Sequence, residues 1–446
     1  MFKTIKNAWN IPDLRKKMLF TIFIIIVFRF GSSIPVPFLD TAALKSVMDT
    51  VAASGTGLAY LDTLSGGAFA QATLFAMSVT PYINSSIVIQ LLTVAIPALE
   101  RMAKEGEEGR KRLGAITRYV AVLLALIQAI VYYFYLRNSA ASDGTYIVKY
   151  REGGAGVFAA FVIILTFTAG AALMMWLGEQ INQHGVGNGI SILLFAGIVS
   201  RMPHVFNTLG TFWNAANQDP SSYGKYYFLV PLFVVLFLVV IWVIVFMYDS
   251  ERRIPVQYAK RVIGRKMYGG QSTHIPIKVG LSGVMPIIFA SSILILPETI
   301  RFMMGSKAPT SGFWYSFFEA FSTTGWLYAI LYFILIIAFA YFYMTIQYNP
   351  IEMANNLRQN NGTIPGIRPG KPTSDYITKV LYKVTFIGSL FLAFIALLPI
   401  IFGGTTGMRN LSIGGTSLLI LVGVALETVK QLESQMMMRH YKGFLD

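Results

Sequence analysis

The chain has no cysteine among its 446 residues, so disulfides and thiolate-held metals are excluded and nothing reports on redox compartment. Histidine is nearly as scarce. His184, His204, His274 and His440 are scattered, without H-E-x-x-H or any paired spacing that would hold a metal. Charge is short as well: Asp, Glu, Lys and Arg make up 13% of the chain, about half of what a soluble domain carries. Nucleotide signatures are broken. "GVGNG" (185–189) half-matches a dinucleotide fingerprint, but no βαβ pattern surrounds it. "PGIRPGKPT" (365–373) places Pro365 at the first glycine and Pro372 at the Ser/Thr of a phosphate loop, so that match fails. No catalytic residue, metal or cofactor is expected.

Apolar residues fill the space left by these shortages. They make up 55% of the chain and come in long runs, such as "MLFTIFIIIVFRF" (18–30) and "LVPLFVVLFLVVIWVIVFM" (229–247). A bilayer takes about 20 apolar residues to cross as a helix. Ten candidate spans emerge, near 18–37, 72–97, 114–136, 155–178, 187–202, 227–248, 276–297, 325–347, 377–401 and 413–435. The fold class expected is an all-α polytopic membrane protein. Lys3, Lys6, Arg15, Lys16 and Lys17 ahead of the first run imitate a signal peptide. No A-x-A-like cleavage site follows, so the run reads as a retained first span.

Charge orients the spans. The two termini and the loops near 98–118, 179–186, 249–278 and 348–383 hold 26 of the 36 Lys and Arg, the opposite loops nine, and Arg29 sits inside the first span. Basic loops stay cytoplasmic, which puts both termini there. The net charge of +15 is mostly this asymmetry, although the basic face could also attract an anionic partner. Halves 1–202 and 203–446, with five spans each, would insert with opposite orientation, so an inverted repeat is permitted.

One span is a poor one. "TPYINSSIVIQLL" (80–92) opens on Pro81 and carries Asn84, Ser85, Ser86 and Gln90 at bilayer depth. Bare polar groups in hydrocarbon cost several kcal/mol each, so lipid cannot surround this helix. Val79, Ile83, Ser86 and Gln90 share one helical face. That face suits either a packing interface glued by small polar residues or the wall of a watery path narrowed by aliphatic groups. "GLAYLDTLSGGAFAQATLF" (57–75), just before it, is too broken to span. A short re-entrant or plugging helix is tolerated at that depth only inside protein or water.

Ionisable residues at the midplane are sparse. Arg29 lies near an outer end, where snorkelling explains it, and Glu427 and Lys430 fall toward the inner end of the last span. A coupled transporter needs a midplane charge or an unwound substrate site, and a membrane enzyme needs a polar catalytic cluster. Neither is legible. The loops near 249–275 and 348–376 are far longer than turnarounds require, and long ordered loops tend to be functional.

Seven blocks together are distinctive: "SGGAFAQATLFAMSVTPYINSSIVIQLLT", "EGEEGRKRLGAITRY", "GVGNGISILLFAGIV", "ERRIPVQYAKR", "GGQSTHIPIKVGLSGVMPIIFASSI", "YNPIEMANNLRQNNGTIPGIRPGKPT" and "GGTSLLI". In order and over nearly the whole chain, they resemble the SecY family, the channel-forming subunits of bacterial Sec protein translocases. The resemblance implies two pseudo-symmetric five-helix halves around a central pore, a short plug helix and a gate opening sideways to lipid. It implies a passive channel in the bacterial cytoplasmic membrane, not an enzyme, that exports unfolded polypeptides and inserts membrane proteins. Its implied partners are SecE, SecG, the motor ATPase SecA, the ribosome, signal peptides and the phospholipid membrane.

Carried across motif by motif, the pore ring would be Val79, Ile83, Ile190, Leu194, Ile288 and Ile420. The lateral gate would involve Thr80, Asn84, Ser86, Gln90, Gln128, Ser291 and Ser292. The plug would lie within about 57–72, with Leu61, Leu64, Ser65, Gly66 and Gly67. Docking of SecA or the ribosome would fall to Arg252, Arg253, Lys260, Arg261 and Arg368. An aliphatic ring suits that task chemically, because it excludes ions at rest yet binds no passing side chain strongly.

Overall fold

A computed structural model describes residues 2–53, 62, 65–140, 144–258, 261–263, 266–268, 272–280, 283–304, 312–321, 325–406 and 415–442. Helices dominate. The first part of the chain holds α1 (Phe2–Trp9), α2 (Pro12–Gly31), α3 (Thr41–Ala53), α4 (Thr80–Ala95), α5 (Pro97–Lys104), α6 (Glu107–Asn138), α7 (Gly153–His184) and α8 (Gly189–Gln218). The remainder holds α9 (Pro220–Tyr223), α10 (Tyr226–Asp249), α11 (Met285–Met304), α12 (Phe313–Ala320), α13 (Trp326–Gln347), α14 (Pro350–Gln359), α15 (Lys371–Thr406) and α16 (Gly415–Lys442). Each of the ten expected spans overlaps one of these helices.

Their lengths depart from expectation in informative ways. The second span begins at Thr80, not near 72, with Pro81 in its first turn, where a missing N–H costs nothing. It then breaks at Ile96, and α5 leaves at 102° to α4. The fifth runs to Gln218 although apolar periodicity stops near 202, so the expected boundary between halves falls inside α8. Among the described residues, α6, α7, α8, α10, α13 and α15 are long and apolar enough to cross a membrane unaided, and the bent α4–α5 pair makes a seventh. Charge keeps α2 off that list, since Asp13, Arg15, Lys16, Lys17 and Arg29 share its 20 residues. The apolar part of α16 ends at Glu427.

Apolar helices with bare flanks need a nonpolar surround. On α10, Phe228, Leu238, Trp242 and Phe246 are all at least 60% exposed, an arrangement that water would penalise heavily. Hydroxyls within these helices are satisfied locally: Thr166 and Thr168 donate to the Val162 and Ile164 carbonyls at 2.7 and 2.8 Å.

Three apolar clusters organise the helices. One joins α3, α6, α7 and the irregular stretch before α4. Another joins α10, α11, α13, α15, α16 and the far end of α8. Between them, a central cluster draws on α2, α4, α7, α8, α11 and α16, and so takes residues from both ends of the chain.

The all-α expectation needs one correction. The loop after α10 forms β1 (Glu251–Tyr258), β2 (Arg261–Ile263), β3 (Lys266–Tyr268) and β4 (Ser272–Lys278), and the loop after α14 adds β5 (Gly362–Thr363). Strands β4, β1 and β5 make one antiparallel sheet and β2–β3 a separate pair. Alternation explains the strand: Ile254 and Val256 are buried while Arg253 and Pro255 are exposed.

Candidate functional site

The central cluster holds Val79, Ile83, Leu194, Ile288 and Ile420 as buried members, with Ile190 packed against them. These six side chains come from α4 and its N-cap, α8, α11 and α16. Helical spacing puts Ile190 and Leu194 on one face of α8, and Ile83 one turn after Val79. Below them opens a cavity of about 550 Å³. Ile83, Ile190, Leu194, Ile288 and Ile420 all border it, while Val79 belongs to the cluster without lining the cavity.

The cavity wall mixes aliphatic, polar and charged side chains. Next to the aliphatic group stand Ser86, Gln90, Asn182 and Asn188, and Lys278, Glu427 and Lys430 also border it. The face Ile83–Ser86–Gln90 of α4 therefore faces this space. Glu427 and Lys430, placed by sequence at an interface, belong to the same wall. Lys430 Nζ donates to Asp249 Oδ1 at 2.7 Å and to the Tyr248 carbonyl at 3.4 Å. Among the described residues, Asn84 Oδ1, Gln90 Oε1 and Tyr248 Oη are buried without a hydrogen-bond partner.

Glycines bring the walls close. A Cβ on Gly189 would fall 1.9 Å from the Gly178 carbonyl oxygen, so α7 and α8 cross backbone to backbone. Gly187 turns the chain at φ +84°. Asn188 then caps α8, its Oδ1 accepting the Ile190 and Ser191 N–H groups at 3.1 and 3.4 Å. Asn182 Oδ1 accepts Gly189 N–H at 2.7 Å. "GVGNG" is thus a capped crossing that sets Ile190 and Leu194 in place.

On the other side of the cluster lies the stretch 65–79. It has no regular helix, yet Ser65, Ala68, Phe69, Ala72, Thr73, Phe75 and Ser78 are buried. Ala72 and Ser78 sit at φ +42° and +51°, conformations held only where surroundings over-determine them. Tyr132 Oη of α6 donates to the Phe69 carbonyl at 2.6 Å. Phe75 stacks on Phe28, ring centres 6.1 Å apart. A Cβ on Gly170 would fall 1.9 Å from the Leu74 carbonyl oxygen, which locks the stretch onto α7. Of the expected plug residues, Ser65, Gly66 and Gly67 are here, while Leu61 and Leu64 lie outside the described residues.

Arg29 departs from the snorkelling expectation. Its Nη1 donates to the Gly66 carbonyl at 3.2 Å, which ties α2 to this stretch. Sequence reasoning also missed Asp62 and Arg201. Their ion pair, Oδ2 to Nη2 at 2.5 Å, joins residues far apart in the chain, and no local pattern signals it.

The expected gate residues divide. Helix α4 packs along α6 and touches α11. Its bond to α6 is made by Ser85, whose Oγ donates to the Thr117 carbonyl at 2.6 Å, rather than by Asn84 or Ser86. Thr80, Asn84, Ser86 and Gln90 are half-buried on α4, Gln128 half-buried on α6, and Ser292 half-buried on α11. Ser291 is buried and donates to the Ile288 carbonyl at 3.0 Å.

The basic loops form one unit. Strand β1 carries Arg252 and Arg253, both exposed, and pairs with β5 at Gln257↔Thr363 and Tyr258↔Gly362. Glu251 Oε1 accepts from Arg253 Nε at 2.6 Å. Arg368 is exposed on a turn between Gly366 and Gly370, whose φ values of +80° and +102° suit glycine. Arg261 lies on β2, and Lys260 lies outside the described residues.

Comparison with known proteins bears on the family and the fold. The SecY family model matches residues 73–429. Protein translocase subunits SecY of Halalkalibacterium halodurans, Bacillus subtilis and Streptomyces coelicolor are 44%, 45% and 42% identical, each over 100% of both chains. Among solved structures, a protein-conducting channel superposes with TM-score 0.64 at 19% identity, covering 94% of this chain and 92% of that one. Sec61 in the canine ribosome–channel complex from the endoplasmic reticulum gives 0.60 at 17%, with the same coverage.

Proposed function

The chain belongs to the SecY family of protein translocase subunits, and on that footing we propose that it forms the passive, gated channel through which unfolded polypeptides leave the cytoplasm. One observation carries the reading: six aliphatic side chains from four helices and their caps cluster beside a polar cavity and against a buried irregular stretch. The six act as a waist. Water confined among such groups is driven out, so ions are excluded without any ring of charge. A passing chain displaces the flexible side chains, and none of them binds it strongly.

The cavity is the cytoplasmic entrance, and residues 65–72 of the buried stretch belong to the outer plug. Ten helices span the membrane, with α2, α11 and α16 completing the more apolar ones. Both termini and the β1–β5 unit face the cytoplasm, and α8 closes the first of two halves. Helices α4, α6 and α11 form the lateral gate. The unpaired amide oxygens of Asn84 and Gln90 support this, because a seam with unmet polar groups is cheap to part. A signal peptide, an apolar helix of roughly 10–15 residues, enters there and passes toward lipid.

Energy comes from partners. Arg252, Arg253 and Arg368 receive SecA or the ribosome, whose RNA phosphates favour basic side chains. The β1–β5 pairing supports a single docking surface built from both loops. SecE clamps the halves and SecG binds peripherally. The test is ion flux through reconstituted vesicles. Vesicles with the parent chain should be tight until a substrate engages, and constant leakage through the parent would refute the waist.

A further inference from the structure

Position 201 on α8 follows Ile190 and Leu194 at the spacing of one helical face, which puts a cation beyond the aliphatic waist. Arg201 is only 20% exposed at its side chain, and the Asp62 side chain it meets only 8%. Asp62 is itself well placed. Its Oδ1 accepts the Ala70 N–H at 2.8 Å, and its carbonyl accepts Gly67 N–H at 2.9 Å and Ser65 Oγ–H at 3.0 Å. Through its carboxylate and its backbone carbonyl, Asp62 therefore gathers Ser65, Gly67 and Ala70 into a knot, and it offers its second carboxylate oxygen to α8. The knot lies close against that helix. A Cβ on Gly66 would meet Ser200 Oγ at 2.7 Å and Gly197 Cα at 3.0 Å, and one on Gly67 would meet Arg201 Nη1 at 3.4 Å. Ser200 Oγ and Arg29 Nη1 both donate to the Gly66 carbonyl, at 3.3 and 3.2 Å.

We infer that Arg201 is the positioning residue that latches the plug shut, through its ion pair with Asp62. This rests on the channel reading above. A buried charge that loses its partner is costly, so the pair resists separation and the knot stays on α8. The latch is also releasable. Arg201 Nε has no partner among the described residues, so the guanidinium does not grip side-on through Nε and Nη2, a two-toothed fork that strengthens Arg–carboxylate pairs. Displacement of the plug frees Asp62 and Arg201 into a widened, wetter path, where water solvates both.

The test is resting ion leak through vesicles holding the full chain with the subunits that co-purify. D62N keeps the acceptor for Ala70 N–H and loses only the charge, and R201M removes the cation. Each should raise resting leak on the order of tenfold, the size of a typical coupling between two sites. D62N/R201M should leak no more than the worse single variant, because the pair is already broken. R201K, which restores the cation, should recover most of the seal. I420N, in the waist, reports on the channel reading separately. Leak in I420N with parental tightness in D62N and R201M would overturn the latch alone. Additive leaks in the double variant, or no recovery with R201K, would also overturn it. Tightness in all of them would overturn the channel reading and the latch together.

Discussion

Replacing Ile83 with Asn puts a polar group into the waist at a point where magnitudes can be worked. Ile83 is 8% exposed within the central cluster. Full burial of such a side chain is worth about 1.5–3 kcal/mol, nearly all of it realised here. An amide left in apolar surroundings costs about 1–3 kcal/mol more unless it is hydrated. The cavity beside it offers that hydration, so the Asn relieves its penalty by drawing water in. A dry waist should lose about 2–3 kcal/mol against a wet one, a factor of roughly 30 to 150. I83L keeps volume and polarity and should cost under about 1.5 kcal/mol with no wetting. The assay is ion efflux from proteoliposomes, paired with export of a reporter whose signal peptide is defective. I83N should leak and should export the reporter. If it is as tight and as selective as I83L, dewetting is not what closes the path.

Three further outcomes are expected. G170A drives a Cβ into the Leu74 carbonyl oxygen, and should lower the unfolding temperature in detergent or abolish folding, because backbone on both sides cannot yield. A parental unfolding temperature would show that the stretch before α4 is not locked to α7. R368E should slow SecA-driven translocation severalfold in inverted vesicles while leaving unfolding unchanged, since Arg368 is exposed, and an unaltered rate removes it from the docking surface. Cysteines at Ser86 and Ser292, in a chain that has none of its own, should crosslink to each other at rest and to a signal peptide once engaged. Absence of both products in active complexes would argue against a gate at α4 and α11.

Hydropathy located the six helices, and the bent α4–α5 pair, that are long and apolar enough to cross a membrane among the described residues, because apolar runs of that length have nowhere else to go. It failed where a helix continues past its apolar run with one face buried and the other exposed. Arg201, His204 and Asn207 ended the apolar run on α8, although the helix continues to Gln218. At α4 the apolar run began too early, since buried Phe75 and Met77 belong to an irregular stretch that only tertiary contacts hold. The aliphatic residues proposed for the waist are singled out by family motifs alone, as nothing in an isolated isoleucine separates a pore from ordinary packing. Links between remote segments left no trace. The pairing of β1 with β5, Arg29 with Gly66, and Asp62 with Arg201 each join residues whose partners periodicity cannot name.

The most direct measurement places a photo-reactive residue in turn at Ile83, Ile190, Ile288 and Ile420, and at Val157, which is 73% exposed on α7. A secretory polypeptide is then stalled midway through the membrane. The four inward positions should all capture that polypeptide and Val157 should capture lipid. Capture at only one or two of the four, or capture at Val157 to the same extent, would mean that no common passage runs between these helices.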